Sequence, residues 1–230
     1  MSYAGFFAGW RTGVRRALAA HALAAATVVW GLASLVAVAE KRSSLWGATG
    51  RALEGQVYGF ILPIALLWIS ARVLEPRRLD ASTSPLARFG VSRRAVALGL
   101  IAASMLAGAL IAAVASVITA LLAHDPTAPS LTLDAVTCAW IGVLTASAYA
   151  ALFAVGATFG AKGGGRYWAL GFDFLFGSTS GVAALFMPRA HAHNLLGGEP
   201  PLLFSQPASA AMLVVIAAAF TILALARCNP

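Results

Sequence analysis

One acidic residue lies deep inside an apolar stretch of this sequence. Asp173 stands in "GFDFLFGSTSG", about six residues and roughly 9 Å from the start of the run Tyr167–Met187. A carboxyl group at that depth either belongs to a polar path through the fold or serves a structural purpose. In the structural alternative it reaches the nearer surface or pairs with an arginine such as Arg72. Asp173 is therefore the main candidate for chemistry inside an apolar run.

Two histidines are spaced as metal ligands can be. His191 and His193 lie in "PRAHAHNLLGGEPPLLFSQP", and imidazole is a common ligand. No carboxylate or cysteine stands close to them in sequence, and His124 beside Asp125 does not complete a ligand set. The two cysteines of the chain have no zinc spacing. The sequence therefore predicts no metal site.

Motifs for catalysis or nucleotide binding are missing from the sequence. "GAKGGGR", residues 160–166, lacks the spacing and the following Ser or Thr of a phosphate-binding loop, and we interpret it as a tight turn. The sequence has no nucleophile elbow, no paired catalytic carboxylates and no H-E-x-x-H. Arg51 and Glu54, three residues apart, are expected to form a local ion pair. We predict that the chain is not an enzyme by itself.

The composition is that of an integral membrane protein. Of 230 residues, 60% are hydrophobic and only 10% are charged, with a mean hydropathy of +0.83. Soluble domains carry about 25% charged residues. The net charge of +8 is therefore interpreted through membrane topology, and no nucleic-acid partner is predicted.

Six apolar runs are long enough to cross a hydrocarbon core of about 30 Å as helices. The connections between them contain Pro, Gly, Ser and charged residues. We therefore predict an all-α integral membrane protein with one domain, residues 1–230, and six transmembrane helices. The runs are Leu18–Ala39, Val57–Leu74, Ala95–Leu122, Ala135–Phe159, Tyr167–Met187 and Ala208–Ala226.

Lysine and arginine set the expected orientation, because cytoplasmic loops are enriched in them. With the N-terminus inside, the outer segments hold only Lys41, Arg42, Arg51 and Arg189. Both termini are then cytoplasmic. The inner segments hold Arg11, Arg15, Arg16, Arg72, Arg77, Arg78, Arg88, Arg93, Arg94, Lys162, Arg166 and Arg227.

Residues 1–16 have the pattern of an amphipathic helix. Five apolar side chains recur at helical spacing, and the arginines point away from the centre of that stripe. Such a helix lies in the membrane interface, with its aromatic side in lipid and its arginines toward phosphates. The alternative is a frayed basic tail that only sets topology. The stripe is Tyr3, Phe6, Phe7, Trp10 and Val14, and the arginines are Arg11, Arg15 and Arg16.

A short helix is predicted in the loop after the second run. In "LEPRRLDASTSPLARFGVSRRAVALG", Ser84 suits an N-cap, Pro85 the first helical position and Gly90 the left-handed residue after the last turn. Leu86 and Phe89 are three residues apart and are expected to share a face available to a partner. The alternative is an ordinary basic loop whose Leu and Phe lie under the bundle.

The chain resembles the type-2 ABC transporter permeases, which are mostly exporters, in three predicted features. These are the basic amphipathic first helix, the six spans and the long loop between the second and third spans. In that family the second span commonly ends at a Glu, a coupling helix follows, and a "P-V-S-R" turn leads into the third span. Here Glu75, "SPLARF" and "GVSRRAVALG" stand in those places within the loop 75–94. Gly90 replaces the usual Pro, and "LDASTS" replaces the common Gly-Ser/Thr-Leu stretch.

The resemblance implies several partners and a division of labour. The coupling helix, through Leu86, Arg88 and Phe89, would dock on a separate ATPase subunit that binds ATP and Mg. A second permease subunit, identical or related, would pair with the chain. The small residues of the fifth run, Gly171 and Gly177 to Gly181, are candidate contacts there, and they would equally suit packing within one subunit. Residues 188–207 would form short helices that dip back into the outer leaflet. Membrane lipids would surround this assembly in the bacterial cytoplasmic (inner) membrane.

Two other functions remain open from the sequence. A structural or assembly subunit of a larger membrane complex would not need a coupling helix. An ATP-independent carrier or channel would be expected to have more polar residues within its spans than Asp173.

Overall fold

The computed structural model describes residues 3–44, 46–74, 78–125 and 130–228. All regular secondary structure in these ranges is helical. In chain order the α-helices are α1 Tyr3–Ala17, α2 Ala20–Ser43, α3 Ala48–Arg51, α4 Leu62–Val73, α5 Leu79–Ala87, α6 Arg93–Ala123, α7 Leu131–Gly156, α8 Gly165–Phe176, α9 Pro188–Leu195 and α10 Gln206–Ala226.

Within the described residues, five helices are long and apolar enough to cross a membrane, as expected of a multi-pass membrane protein. Four of them are α2, α6, α7 and α10. The fifth is continuous from Ala48 to Val73 and joins α3 to α4 through a π-helical segment, Ala52–Ile61. In that segment the amide of Leu62 closes the last turn by bonding to the carbonyl of Val57, five residues back.

The predicted span Tyr167–Met187 is wrong as a continuous helix. Helix α8 ends at Phe176 after 12 residues, about 18 Å, which covers little more than half of a hydrocarbon core. The run of small residues from Gly177 to Gly181 has weak helix propensity and forms turns and bends instead. A 3-10 turn, Val182–Phe186, and then α9 follow the break.

The bundle has two chemically different ends. Helices α1 and α5, the connection after α7 and the end of α10 lie at what we call the basic end. There the backbone amide of Leu79 bonds to the carbonyl of Ala157 across 3.1 Å. At the opposite end the connection after α2 meets the end of α6, where the amide of Gly47 donates to Asp125 across 3.0 Å.

Helix α1 packs lengthwise on α6 through glycine. Gly5, Gly9 and Gly13 are the buried residues of α1, and they recur every four positions on one face. A Cβ atom on Gly9 would lie 2.2 Å from the carbonyl oxygen of Val96, and one on Gly99 would lie 2.3 Å from that of Phe6. Side chains larger than hydrogen are therefore incompatible with this approach, which fixes α1 against the bundle.

Candidate functional site

Helix α5 is held firmly at the basic end. Leu79 is fully buried and belongs to an apolar cluster with residues from the start of α6 and the end of α7, such as Val96 and Ala154. The hydroxyl of Ser82 donates to the carbonyl of Leu74, just after α4. Leu86 packs against the same cluster. Burying Leu79 stabilises the docked helix by about 1.5–3 kcal/mol, and the partly buried Leu86 adds a smaller contribution.

The structure corrects the predicted start of this helix. It begins at Leu79, with Arg78 in extended conformation before it, so Ser84 is not the N-cap and Pro85 lies inside the helix. The earlier start follows from the burial of Leu79 and its bond to Ala157, a tertiary contact that local sequence does not show. The predicted end is confirmed, because Gly90 has a φ of 77°. Glu75 lies outside the described residues.

The end of α5 presents Arg88 and Phe89 to solvent. Phe89 is 83% exposed, the reverse of the inward-facing Leu86, so the expected shared face is wrong. The cause is that the helix stops at Ala87, and Phe89 sits in the turn that precedes Gly90. A cavity of about 530 Å³ opens beside this turn and is lined by Ser84, Ala87, Arg88, Val91, Ser92, Arg93 and Cys228.

Asp173 is fully buried and joins three helices. The hydroxyl of Tyr149 on α7 donates to Oδ2 of Asp173 at 2.5 Å, and the backbone amide of Arg189 donates to Oδ1 at 3.3 Å. The predicted alternative partner, Arg72, instead lies over the ring of Trp68, 5.1 Å from its centroid. The carboxylate thus anchors the start of α9 to the bundle, and it neither reaches the nearer surface nor pairs with Arg72, the two structural alternatives expected from the sequence.

A polar cavity of about 390 Å³ lies at the opposite end, between the π-helical segment, the break after α8 and α9. Nδ1 of His193 lies 3.0 Å from Oε1 of Glu54. The predicted pair of Arg51 with Glu54 is wrong, because Arg51 bonds to Glu40 at 3.0 Å. The wider backbone of the π-helical segment places Glu54 toward α9, whereas an α-helical reading of the sequence places it beside Arg51.

His191 is a buried structural group. Its Nε2 lies 3.0 Å from the carbonyl oxygen of Leu185, so Nε2 carries the proton, and Nδ1 accepts from the hydroxyl of Ser209 at 3.1 Å. Burial lowers the pKa of His191, which keeps the ring neutral in this network. In the part of the chain that the structure describes, no three His, Cys, Asp or Glu side chains are grouped as metal ligands.

Helix α1 distributes its predicted residues over two environments. Tyr3 and Phe7 are exposed, Phe6 and Trp10 stack with ring centroids 6.3 Å apart and are partly buried, and Val14 lies in the partly buried contact with α6. Arg11 and Arg15 are exposed. Arg16 instead donates from Nη1 to the carbonyl of Val73 at 3.0 Å, at the end of α4.

The sequence did not indicate Tyr149, the Glu54–His193 pair or the glycine face of α1. Of these, only the glycine face has a visible signal, its spacing of four residues. Comparisons of the chain with protein families, with curated proteins and with solved structures gave no match. Function is therefore inferred from the residues and their geometry.

Proposed function

We propose that the chain is the transmembrane permease subunit of an ATP-driven ABC transporter, most simply an exporter, in a bacterial cytoplasmic membrane. The observation that carries this proposal is the division of α5 into a buried and an exposed part. Leu79 and Leu86 are packed into the bundle, whereas Arg88 and Phe89 project from it. A partner that binds the exposed part therefore acts on the whole basic end.

The order of the helices supports the same function. Helix α1 precedes the first span, α5 lies between the second and third, and an interrupted segment precedes the last. Arginine and lysine are concentrated at the basic end, which makes it the cytoplasmic side under the positive-inside rule. Both termini and α5 then face the compartment that contains ATP.

The mechanism follows from how α5 is attached. An ATPase subunit with bound ATP and Mg would contact Phe89 and Arg88 and displace α5. Because Leu79 bonds to Ala157 and Ser82 bonds to Leu74, the displacement moves the ends of α7 and α4 together. A second permease subunit would complete the transport path, and this chain would supply its walls rather than the chemistry of hydrolysis.

The test is purification of the tagged, full-length protein from its native membrane in mild detergent, with identification of the chains that accompany it. The proposal expects a stoichiometric soluble chain that contains a phosphate-binding loop. Recovery of other membrane proteins alone would contradict it and favour the assembly-subunit function.

A further inference from the structure

An apolar groove of about 190 Å³ runs between α2 and α6 in the half of the bundle nearest the basic end. Its floor is formed by alanines on both helices, among them Ala22, Ala26, Ala103 and Ala107. Small side chains at facing positions leave this space open, whereas leucines at the same positions would fill it. The leucines Leu18 and Leu110 form exposed parts of its rim.

Trp30 bounds the groove toward the middle of the bundle. Toward the middle of the bundle, the indole nitrogen of Trp30 donates to the carbonyl of Ile111 at 3.2 Å and ties α2 to α6. Beyond Trp30 the two helices approach closely, and Ala33 and Ala37 are fully buried. From Ala103 to Ile111 the groove extends for eight helical residues, about 12 Å. This matches most of one leaflet, about 15 Å deep.

Cationic residues of α1 lie one helical turn from the residues that line the groove nearest the basic end, which we call its mouth. Val14 and Leu18 line the groove, and Arg11 and Arg15 each precede one of them by a helical turn. Both arginines are exposed, and neither has a carboxylate partner among the described residues. Because the glycine face fixes α1 on α6, both arginines stay within a helical turn of residues that line the mouth of the groove. Arginine binds phosphate through paired hydrogen bonds.

We infer that this groove holds one acyl chain of an anionic phospholipid from the surrounding leaflet, with the lipid phosphate bound by Arg11 and Arg15. The inference is independent of any ATPase partner. The apolar groove, about as deep as one leaflet, favours the acyl chain of such a lipid, and the arginines near its mouth favour the phosphate. A neutral lipid with the same chains gains the apolar contact but less of the electrostatic one.

Two substitutions test the two parts of the site in the purified full-length protein. Ala107→Phe fills the groove, with Ala218→Phe on the exposed side of α10 as its control. Arg11→Gln with Arg15→Gln removes the basic mouth, with Lys41→Gln and Arg42→Gln at the opposite end as its control. Binding of phosphatidylglycerol and of phosphatidylcholine with identical chains is measured by native mass spectrometry.

Wild-type protein and both controls are expected to retain one phosphatidylglycerol in preference to phosphatidylcholine. Ala107→Phe should weaken binding of both lipids at least about tenfold, because two or more methylene groups lose their contact. The double arginine variant should lose the preference between lipids. Unchanged retention in Ala107→Phe overturns the inference, as does a wild-type dimer that Ala107→Phe separates, since a second copy would then occupy the groove.

A second measurement uses the unmodified protein, so its result does not depend on whether a variant folds. Phosphatidylglycerol with a photoreactive group in its acyl chain should label residues 18–30 and 103–111. Labelling confined to other surfaces overturns the inference.

Discussion

Nδ1 of His193 lies 3.0 Å from Oε1 of Glu54, which links α9 to the π-helical segment across the polar cavity. Each side chain is about one-third exposed, so water screens the pair. Neighbouring Arg51 is occupied by Glu40. The pair therefore connects α9 to the long helix Ala48–Val73, together with Arg189, which lies over the ring of Phe60 at 5.4 Å from its centroid.

A double-mutant cycle of Glu54→Gln and His193→Gln is expected to give a small coupling, about 0.2–1 kcal/mol, because partly exposed pairs contribute little. Thermal unfolding in detergent measures it. Arg51→Gln serves as the comparison, and it should show no coupling to His193. Coupling of Glu54 to Arg51 rather than to His193 would mean that the ion pairs are exchanged.

The buried acceptor Asp173 is expected to tolerate Asn better than Ala. Asp173→Asn keeps one oxygen for the amide of Arg189 or the hydroxyl of Tyr149, whereas Asp173→Ala leaves both donors without it. Each lost bond to a buried group costs about 1–3 kcal/mol. Tyr149→Phe should cost less in the Asp173→Ala background than in wild type, and equal costs measured by thermal unfolding would show that the two groups do not interact.

Gly9→Ala is expected to detach α1 from α6, because the added Cβ would lie 2.2 Å from the carbonyl oxygen of Val96. Gly31 is the matched control on α2, where an added Cβ meets nothing within 4 Å. Gly31→Ala should be neutral or stabilising by up to about 1 kcal/mol through helix propensity. Trypsin cleavage at Arg11 and Arg15 should accelerate in Gly9→Ala only, and equal rates in both variants would contradict the close packing.

Labelling of Cys228 reports whether α5 is docked. Burial raises the pKa of the Cys228 thiol to about 11, and the thiolate is the reactive form. In a Cys138→Ser background, maleimide labelling should therefore be slow at pH 7.5 and rise about tenfold per pH unit toward pH 11. Leu79→Ala should release α5 and accelerate labelling at pH 7.5. Fast labelling at pH 7.5 in the protein that retains Leu79 would show that Cys228 is not buried.

Much of the fold follows from local patterns, and the remainder follows from contacts distant in sequence. Continuous apolar runs predicted the long helices, and Gly90 predicted the end of α5. The break after α8 falls at the small residues Gly177 to Gly181. Mean hydropathy does not reveal this break, because small residues lower the hydropathy of the run too little. Leu79 meeting Ala157 and Glu54 meeting His193 depend on how helices pack, which a single sequence does not show.

Local sequence likewise indicated some of the site residues, whereas others depend on contacts distant in sequence. Asp173 stood out because a carboxylate in an apolar run must find partners. The sequence did not indicate its partner Tyr149, because the hydrogen-bond partner of a tyrosine hydroxyl in a helix is known only from the structure. Phe89 was identified by position in the loop, while its exposure arises from the helix ending at Ala87.

Binding of an ATPase subunit to the exposed end of α5, as proposed above, is tested by Phe89→Asp. Trp46→Asp is the control, since Trp46 is 68% exposed at the opposite end of the bundle. Tagged variants in equal amounts in the membrane are purified, and the co-isolated ATPase is quantified. At least about a tenfold loss is expected for Phe89→Asp, as for an aromatic residue at the centre of an interface, and no loss is expected for Trp46→Asp. Equal recovery with both variants would contradict it.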